Sequence, residues 1–195
     1  MALANDIQYH LMSFVKGGYD VVLPNFYYGN NECDLFRITS SDLVIEYEIK
    51  VSRSDYFADF KKENLEGLKH YMLETGKGLY CPNRFFYVTT KDLVSVSEVP
   101  RYAGLIYFDG VSHFDLKKNA PLIHKNKVRP EMYRQICHTL SNSALEQRKR
   151  IKKIRNTDFD KEMAAMKREV ETLRKEKRDL SNQLWMRKHG HSETI

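Results

Sequence analysis

Residues 43–51 (LVIEYEIKV) carry the side chains whose type and spacing could do chemistry. Read as a strand, this segment sorts its side chains onto two faces. Leu43, Ile45, Tyr47, Ile49 and Val51 share one face; Val44, Glu46, Glu48 and Lys50 share the other. A row of three charged groups on a central strand is costly when merely buried. It is tolerable on a solvated face, as in a half-exposed antiparallel strand with polar residues outward, or where a metal ion and a substrate compensate it. The preceding segment, 34–39 (DLFRIT), lies only a short turn (40–42) away and begins with Asp34, so it can bring a third acid beside the first two. Carboxylates grouped in this way are metal-capable. Lys50 adds an ammonium on the face of Glu48. Acids that hold a metal ion next to an amine suit phosphodiester hydrolysis.

The flanking segments must position these groups. Residues 6–15 have apolar Ile7, Leu11 and Phe14 at helical spacing and end at Gly17-Gly18. Residues 19–23 read as a strand stopped by Pro24, with a turn signal at 29–31. After 43–51, Ser52 with Asp55 fits a capping box, Ser54 being the other candidate cap, and the spacing predicts a helix through about Lys62. A second helical stretch covers about 65–74. Strands follow at 84–89 and 104–108, with a short helical or extended piece at 93–96 between them and a turn at Asp109-Gly110. Pro130 suits the first position of a helix through about Leu140. Strands that begin as a near-hairpin and then alternate with helices predict an α/β fold, a mixed sheet with helices on its faces.

Here the chain resembles a known family. Asp34 followed at a suitable interval by Glu48-Ile49-Lys50 is similar to the signature of the PD-(D/E)XK nuclease superfamily. The context adds to it: residues 48–62 (EIKVSRSDYFADFKK) resemble the EIK-S-R-x-D-F-x-x-D-x-K segment of the MmcB-like branch, assigned to DNA-repair nucleases. RFFYVTT (84–90), GLIYFDG (104–110) and APLIHK (120–125) resemble its later strands and loop. The resemblance spans about residues 5–130. It implies a restriction-endonuclease-like fold and a Mg2+- or Mn2+-dependent DNA endonuclease, in repair, recombination or phage DNA processing. Asp34 and Glu48 would be metal ligands, with the backbone carbonyl of Ile49 as a third. Lys50 would orient or help deprotonate the attacking water and stabilise charge on the phosphate. Three departures stand out: Cys33 where a proline is common, Gln8 and Asp6 where many members place a glutamate on the first helix, and Asn25 where the branch tends to have an acid.

Other candidates carry two readings each. Glu46 is a possible auxiliary acid. Arg53 reads as a phosphate contact, with Asp55 and Asp59, four apart on one helix face, holding it or Lys62; ordinary capping and helix salt bridges explain them equally. Lys61 and Lys62 read as DNA-backbone contacts or as surface solubility. Arg148, Lys149, Arg150, Lys152, Lys153 and Arg155 form a dense basic stretch, either a phosphate-tracking stripe or a solvated linker helix. His124, in the APLIHK loop, is a substrate contact or a packing residue.

The 195 residues suffice for one core domain and an appendage. Residues 1–142 carry 17 Lys/Arg against 17 Asp/Glu, whereas 143–195 carry 15 against 9, so the net charge of +6 lies wholly in the tail. This divides the chain into a nuclease-like domain (1–142), a basic helical linker (143–156), a coiled-coil helix (157–187) and a flexible tail (188–195). In the third, Phe159, Met163, Met166, Val170, Leu173, Lys177, Leu180 and Leu184 alternate four and three apart, a heptad seam interrupted once. A homodimer or higher homo-oligomer is expected from it, the alternative being a lone amphipathic helix. No apolar run reaches the roughly 20 residues of a membrane span, and residues 1–8 lack a basic segment followed by an apolar one, so no secretory signal is expected. An odd set of cysteines, Cys33, Cys81 and Cys137, without metal-ligand spacing leads to the expectation of a reducing, cytoplasmic setting. DNA is the expected partner. A catalytically inactive DNA-binding module and a coiled-coil assembly protein remain as alternatives.

Overall fold

The computed structural model describes residues 4–29, 31–61 and 65–189, with the side chains of 65–67 and 187–189 excepted. Helix α1 (Ala4–Val15) leads to β1 (Val21–Tyr28), β2 (Asn31–Ile38) and β3 (Val44–Lys50). Helices α2 (Arg53–Asp59) and α3 (Leu65–Thr75) connect to β4 (Arg84–Thr90). A 3-10 turn (Val96–Glu98), β5 (Ala103–Phe108), β6 (Phe114–Lys118) and the long helix α4 (Pro130–His189) complete the chain. Residues up to Arg129 form one compact unit and those from Pro130 a second.

The first unit is an α/β fold with a six-stranded mixed sheet ordered β1-β2-β3-β4-β5-β6. The first three strands are antiparallel neighbours, β3-β4-β5 run parallel, and β6 returns antiparallel to β5. The parallel step from β3 to β4 needs a crossover, which α2 and α3 supply. The alternation read along residues 43–51 is realised. Ile45, Tyr47 and Ile49 join Leu35, Phe86, Val88 and Ile106 in a core on which Ile7, Leu11 and Val15 of α1 pack. On the opposite face, Tyr56 of α2 and Leu73 of α3 pack with Phe85, Tyr87 and Leu105. Glu46, Glu48 and Lys50 lie on that second face, between the sheet and the crossover helices.

Several boundaries differ from the sequence reading. Pro24 does not stop β1, which continues to Tyr28. As the edge strand, β1 needs no hydrogen bond from the proline nitrogen on its outer side. Just after it Asn25 takes a positive φ of 48°. Strand β6 escaped the sequence reading because its five residues, FDLKK, are mostly exposed and carry little apolar signal. Helix α2 ends at Asp59, before Lys62, which lies outside the described residues. Its cap is Ser52, whose side chain accepts from the Asp55 N–H at 3.1 Å, so Ser54 is not the cap. The change in charge at 142–143 falls inside α4, which continues unbroken because no glycine or proline interrupts it. The start of the expected flexible tail is helical to His189, and residues 190–195 lie outside the described residues. Among the described residues no helix is long and apolar enough to cross a membrane. The three cysteines are free thiols, Cys33 and Cys81 buried and Cys137 exposed.

The loop after β6 is pinned by Asn83, which is 1% exposed. Its side-chain amide donates to the carbonyls of His124 (2.8 Å) and Asn126 (2.9 Å), and its oxygen accepts from the Val44 N–H at 2.6 Å. The His124 ring bonds the Cys81 carbonyl at 2.8 Å. The His124 ring thus ties this loop to the segment that precedes β4.

Candidate active site

The β2–β3 ladder pairs Leu35 with Tyr47 and Phe36 with Glu46. The pairing ends at Leu35–Tyr47; Asp34 and Glu48 are the next residues outward on their strands, and alternation puts Asp34 on the face of the three charged residues. The chain confirms the approach: the Asp34 carboxylate accepts the backbone N–H of Ile49 at 2.6 Å. The pKa of Asp34 is held up to about 6, first by burial and next by the nearby Glu48 carboxylate, against the opposing pull of the Ile49 N–H, Lys50 and Lys69. Two carboxylates on adjacent strands thus repel one another across a partly dry gap.

Lys50 stands at the centre of the acids. Its Nζ lies 3.1 Å from Glu48 Oε1, 2.8 Å from Asp59 Oδ2 and 3.8 Å from Asp55 Oδ1. Burial alone would lower its pKa; the Glu48 and Asp59 carboxylates outweigh it and hold the ammonium protonated. Asp55 and Asp59 thus face Lys50, while Arg53 pairs with Glu98; Lys62, the other cation expected beside the two acids, lies outside the described residues. The short α2 begins right after β3, so its inner face overlooks the end of that strand. Arg53 turns the other way, donating to Glu98 and to the Leu93 carbonyl (2.8 Å), with its guanidinium over the Phe57 ring. Its side chain stays half exposed.

Lys69 of α3 was not anticipated. Its Nζ lies 2.5 Å from Glu46 Oε1 and 3.3 Å from Glu48 Oε2, above the Phe85 ring. Burial would depress its pKa, but Glu46 and Glu48 together raise it. Glu46 is 3% exposed; burial raises its pKa, and Lys69 opposes that shift. For Glu48 the balance is opposite: burial would raise it, yet Lys69 and Lys50 together hold it below its ordinary value. Each Glu48 oxygen therefore has its own ammonium partner.

Behind Asp34, two amides meet. Gln8 Nε2 of α1 donates to the Asn25 side-chain oxygen at 2.9 Å and to the Asp34 carbonyl at 2.6 Å. The positive φ of Asn25 turns its side chain toward α1. Both side chains are uncharged amides.

Asp34 and Glu48 are suited to a hard divalent ion, with the Ile49 carbonyl adjacent in sequence. Among the described residues no group of three or more His, Cys, Asp and Glu is placed to hold a metal. Mg2+ does not require one, since it keeps several waters and takes one or two carboxylates plus substrate phosphates. Charge also fits: five carboxylates (Asp34, Glu46, Glu48, Asp55, Asp59) face two ammoniums (Lys50, Lys69), leaving excess negative charge for a cation to offset.

The remaining basic candidates lie outside the sheet and its crossover helices. Lys61 is exposed just beyond α2. Arg148, Lys149, Arg150, Lys152, Lys153 and Arg155 are exposed on α4, in the second unit. Arg148, Lys152 and Arg155 share one helix face, and Lys149 pairs with Glu146 at 2.7 Å.

No family model and no curated protein matches the chain. A solved structure does: the SPO1766 protein of unknown function from Silicibacter pomeroyi, at 19% identity and a TM-score of 0.49, over 74% of this chain and 85% of that one.

Proposed function

We propose that this chain is a Mg2+- or Mn2+-dependent DNA endonuclease whose working groups are Asp34, Glu48 and Lys50. The observation that carries the reading is their convergence: the Asp34 carboxylate accepts the N–H of Ile49, the residue after Glu48, while Lys50 Nζ lies 3.1 Å from Glu48. Asp34, Glu48 and the Ile49 carbonyl would hold the ion, which supplies Lewis acidity and activates water. Lys50, whose charge Glu48 and Asp59 favour, orients that water and stabilises negative charge on the phosphate. The neutral Gln8–Asn25 pair favours one-metal chemistry, because a second ion lacks its carboxylate there. The exposed basic residues of α4 and Lys61 supply sequence-independent attraction to the DNA backbone.

A second reading is a DNA-binding module of the same fold that no longer cleaves. Lys69 favours it, since it occupies the Glu48 oxygen that Lys50 leaves open. The experiment is a cleavage assay on supercoiled, linear, branched and single-stranded DNA with Mg2+ or Mn2+. Wild type should cut at least one form, with Lys50→Ala and Asp34→Ala lower by roughly 100-fold or more, the scale of losing one transition-state charge stabiliser. Salt-sensitive binding without any cleavage would replace the first reading by the second.

A further inference from the structure

Helix α4 presents Phe159, Met163, Met166, Val170, Leu173, Leu180 and Leu184 in one stripe, each 40–64% exposed. A stripe of large apolar side chains left in water along a helix that is otherwise densely charged calls for a partner. Its spacing assigns the heptad positions: Met163, Val170, Lys177 and Leu184 fall at a, and Phe159, Met166, Leu173 and Leu180 at d. Extended one turn toward the N-terminus, the frame puts Asn156 at a. We propose that the occupant of this stripe is the same stripe of a second copy of the chain, and that the two helices pair parallel and in register as a two-stranded coil.

The flanking charges choose the orientation. The g positions are Arg155, Glu162, Glu169 and Glu176; the e positions are Asp160, Lys167, Arg174 and Ser181. In a parallel pair each g residue faces the e residue five positions further along the other chain. Arg155 then meets Asp160, Glu162 meets Lys167, and Glu169 meets Arg174, each pair formed twice by symmetry. An antiparallel pair sets g against g and e against e, which brings glutamates onto glutamates and Lys167 onto Arg174.

The same residues choose the register. The sign reverses between the first pair and the next two, so the pattern does not repeat when slipped by one heptad. That slip puts Arg155 against Lys167 and Glu162 against Asp160, like charges in both cases. Asn156 at a is a residue that fixes alignment at some cost in stability, because only the aligned pair lets one amide bond the other. Strand number follows from the core: β-branched Val170 at a with Leu173 and Leu180 at d favours two strands. Lys177 at a extends past the seam toward Glu176 of the second copy.

The test uses the full chain carrying Cys137→Ser, which removes the exposed thiol. Sedimentation equilibrium should give a dimer mass, and Leu180→Cys in that background should form a covalent dimer under mild oxidation. Position 180 lies towards the end of the seam, so only parallel, aligned chains bring two such cysteines together. The double variant Glu162→Lys/Glu169→Lys should weaken the dimer about tenfold or more at low salt, the summed effect of four pairs per dimer turned repulsive. Adding Lys167→Glu/Arg174→Glu should restore it. A monomer, a trimer or tetramer, a dimer without the crosslink at 180, or a dimer indifferent to the double charge reversal would overturn the proposal.

Discussion

Lys69 lies between Glu46 and Glu48, 2.5 Å from one and 3.3 Å from the other, although α3 is separated from β3 by the whole of α2 and a further loop. It is the group that makes a buried Glu46 tolerable on a central strand, and it competes for the carboxylate that a divalent ion would use.

Replacing Lys69 by Met removes that compensation and leaves Glu46 buried without its cation. A loss of about 3–5 kcal/mol in folding stability is expected, the usual cost of orphaning one partner of a buried pair. Glu46→Gln in the same chain should recover a good part of it, since the remaining amide carries no charge. Urea denaturation of the two singles and the double supplies the cycle; additive losses would mean that the two residues do not depend on each other.

Asp34 gives a stability effect of definite sign. Its carboxyl is raised to about 6 in the folded chain by burial and by Glu48, against about 4 when unfolded. Between those values the folded chain retains a proton that the unfolded chain has released, so stability falls as pH rises through the window and stays lower above it. Asp34→Asn keeps an oxygen for the Ile49 N–H but cannot ionise. Its advantage over wild type should grow from pH 4 to pH 6 and then level off. Denaturation midpoints across that range measure the difference, and an advantage constant with pH would refute the assignment.

Divalent-ion affinity should follow the same proton. Mn2+ binding requires Asp34 ionised, so titration calorimetry below pH 6 should show affinity rising about tenfold per pH unit, then flattening above it. Asp34→Asn should abolish that dependence together with most of the binding. An affinity independent of pH from 5 to 7.5 would place the ion elsewhere.

Asp59 and Asp55 separate by geometry. Lys50 is 2.8 Å from the partly buried Asp59 and 3.8 Å from the half-exposed Asp55. Asp59→Asn should lower the cleavage rate by roughly tenfold through misplacement of Lys50, with little change in KM, whereas Asp55→Asn should stay within about twofold. Equal effects from the two would show that Lys50 is held by something other than this ion pair.

Salt dependence tests the basic stretch of α4. Changing Arg148, Lys152 and Arg155 together to Ser should reduce the slope of log affinity against log salt by about 0.9 for each duplex phosphate that is no longer neutralised. An unchanged slope would assign these residues to solubility.

Residue order was enough to read which side chains share a face of β3, the placing of Asp34 near Glu48, Ser52 as one of two candidate caps, and the heptad order of α4. These features are legible because strand alternation and helical periodicity are local rules, set by backbone geometry within a few residues. What lies opposite each face emerged only from the folded chain. Lys69 carries no signal beyond being one lysine on a helix. Asp55 and Asp59 look like ordinary helix acids until the chain reversal after β3 turns them onto Lys50. Arg53 finds Glu98 across 45 positions, and Gln8 finds Asn25 across 17. Pro24 misled because its tolerance depends on β1 being an edge strand, and strand order is a property of the assembled sheet. Periodicity states which way a side chain points; only packing of distant segments supplies the charge it meets there.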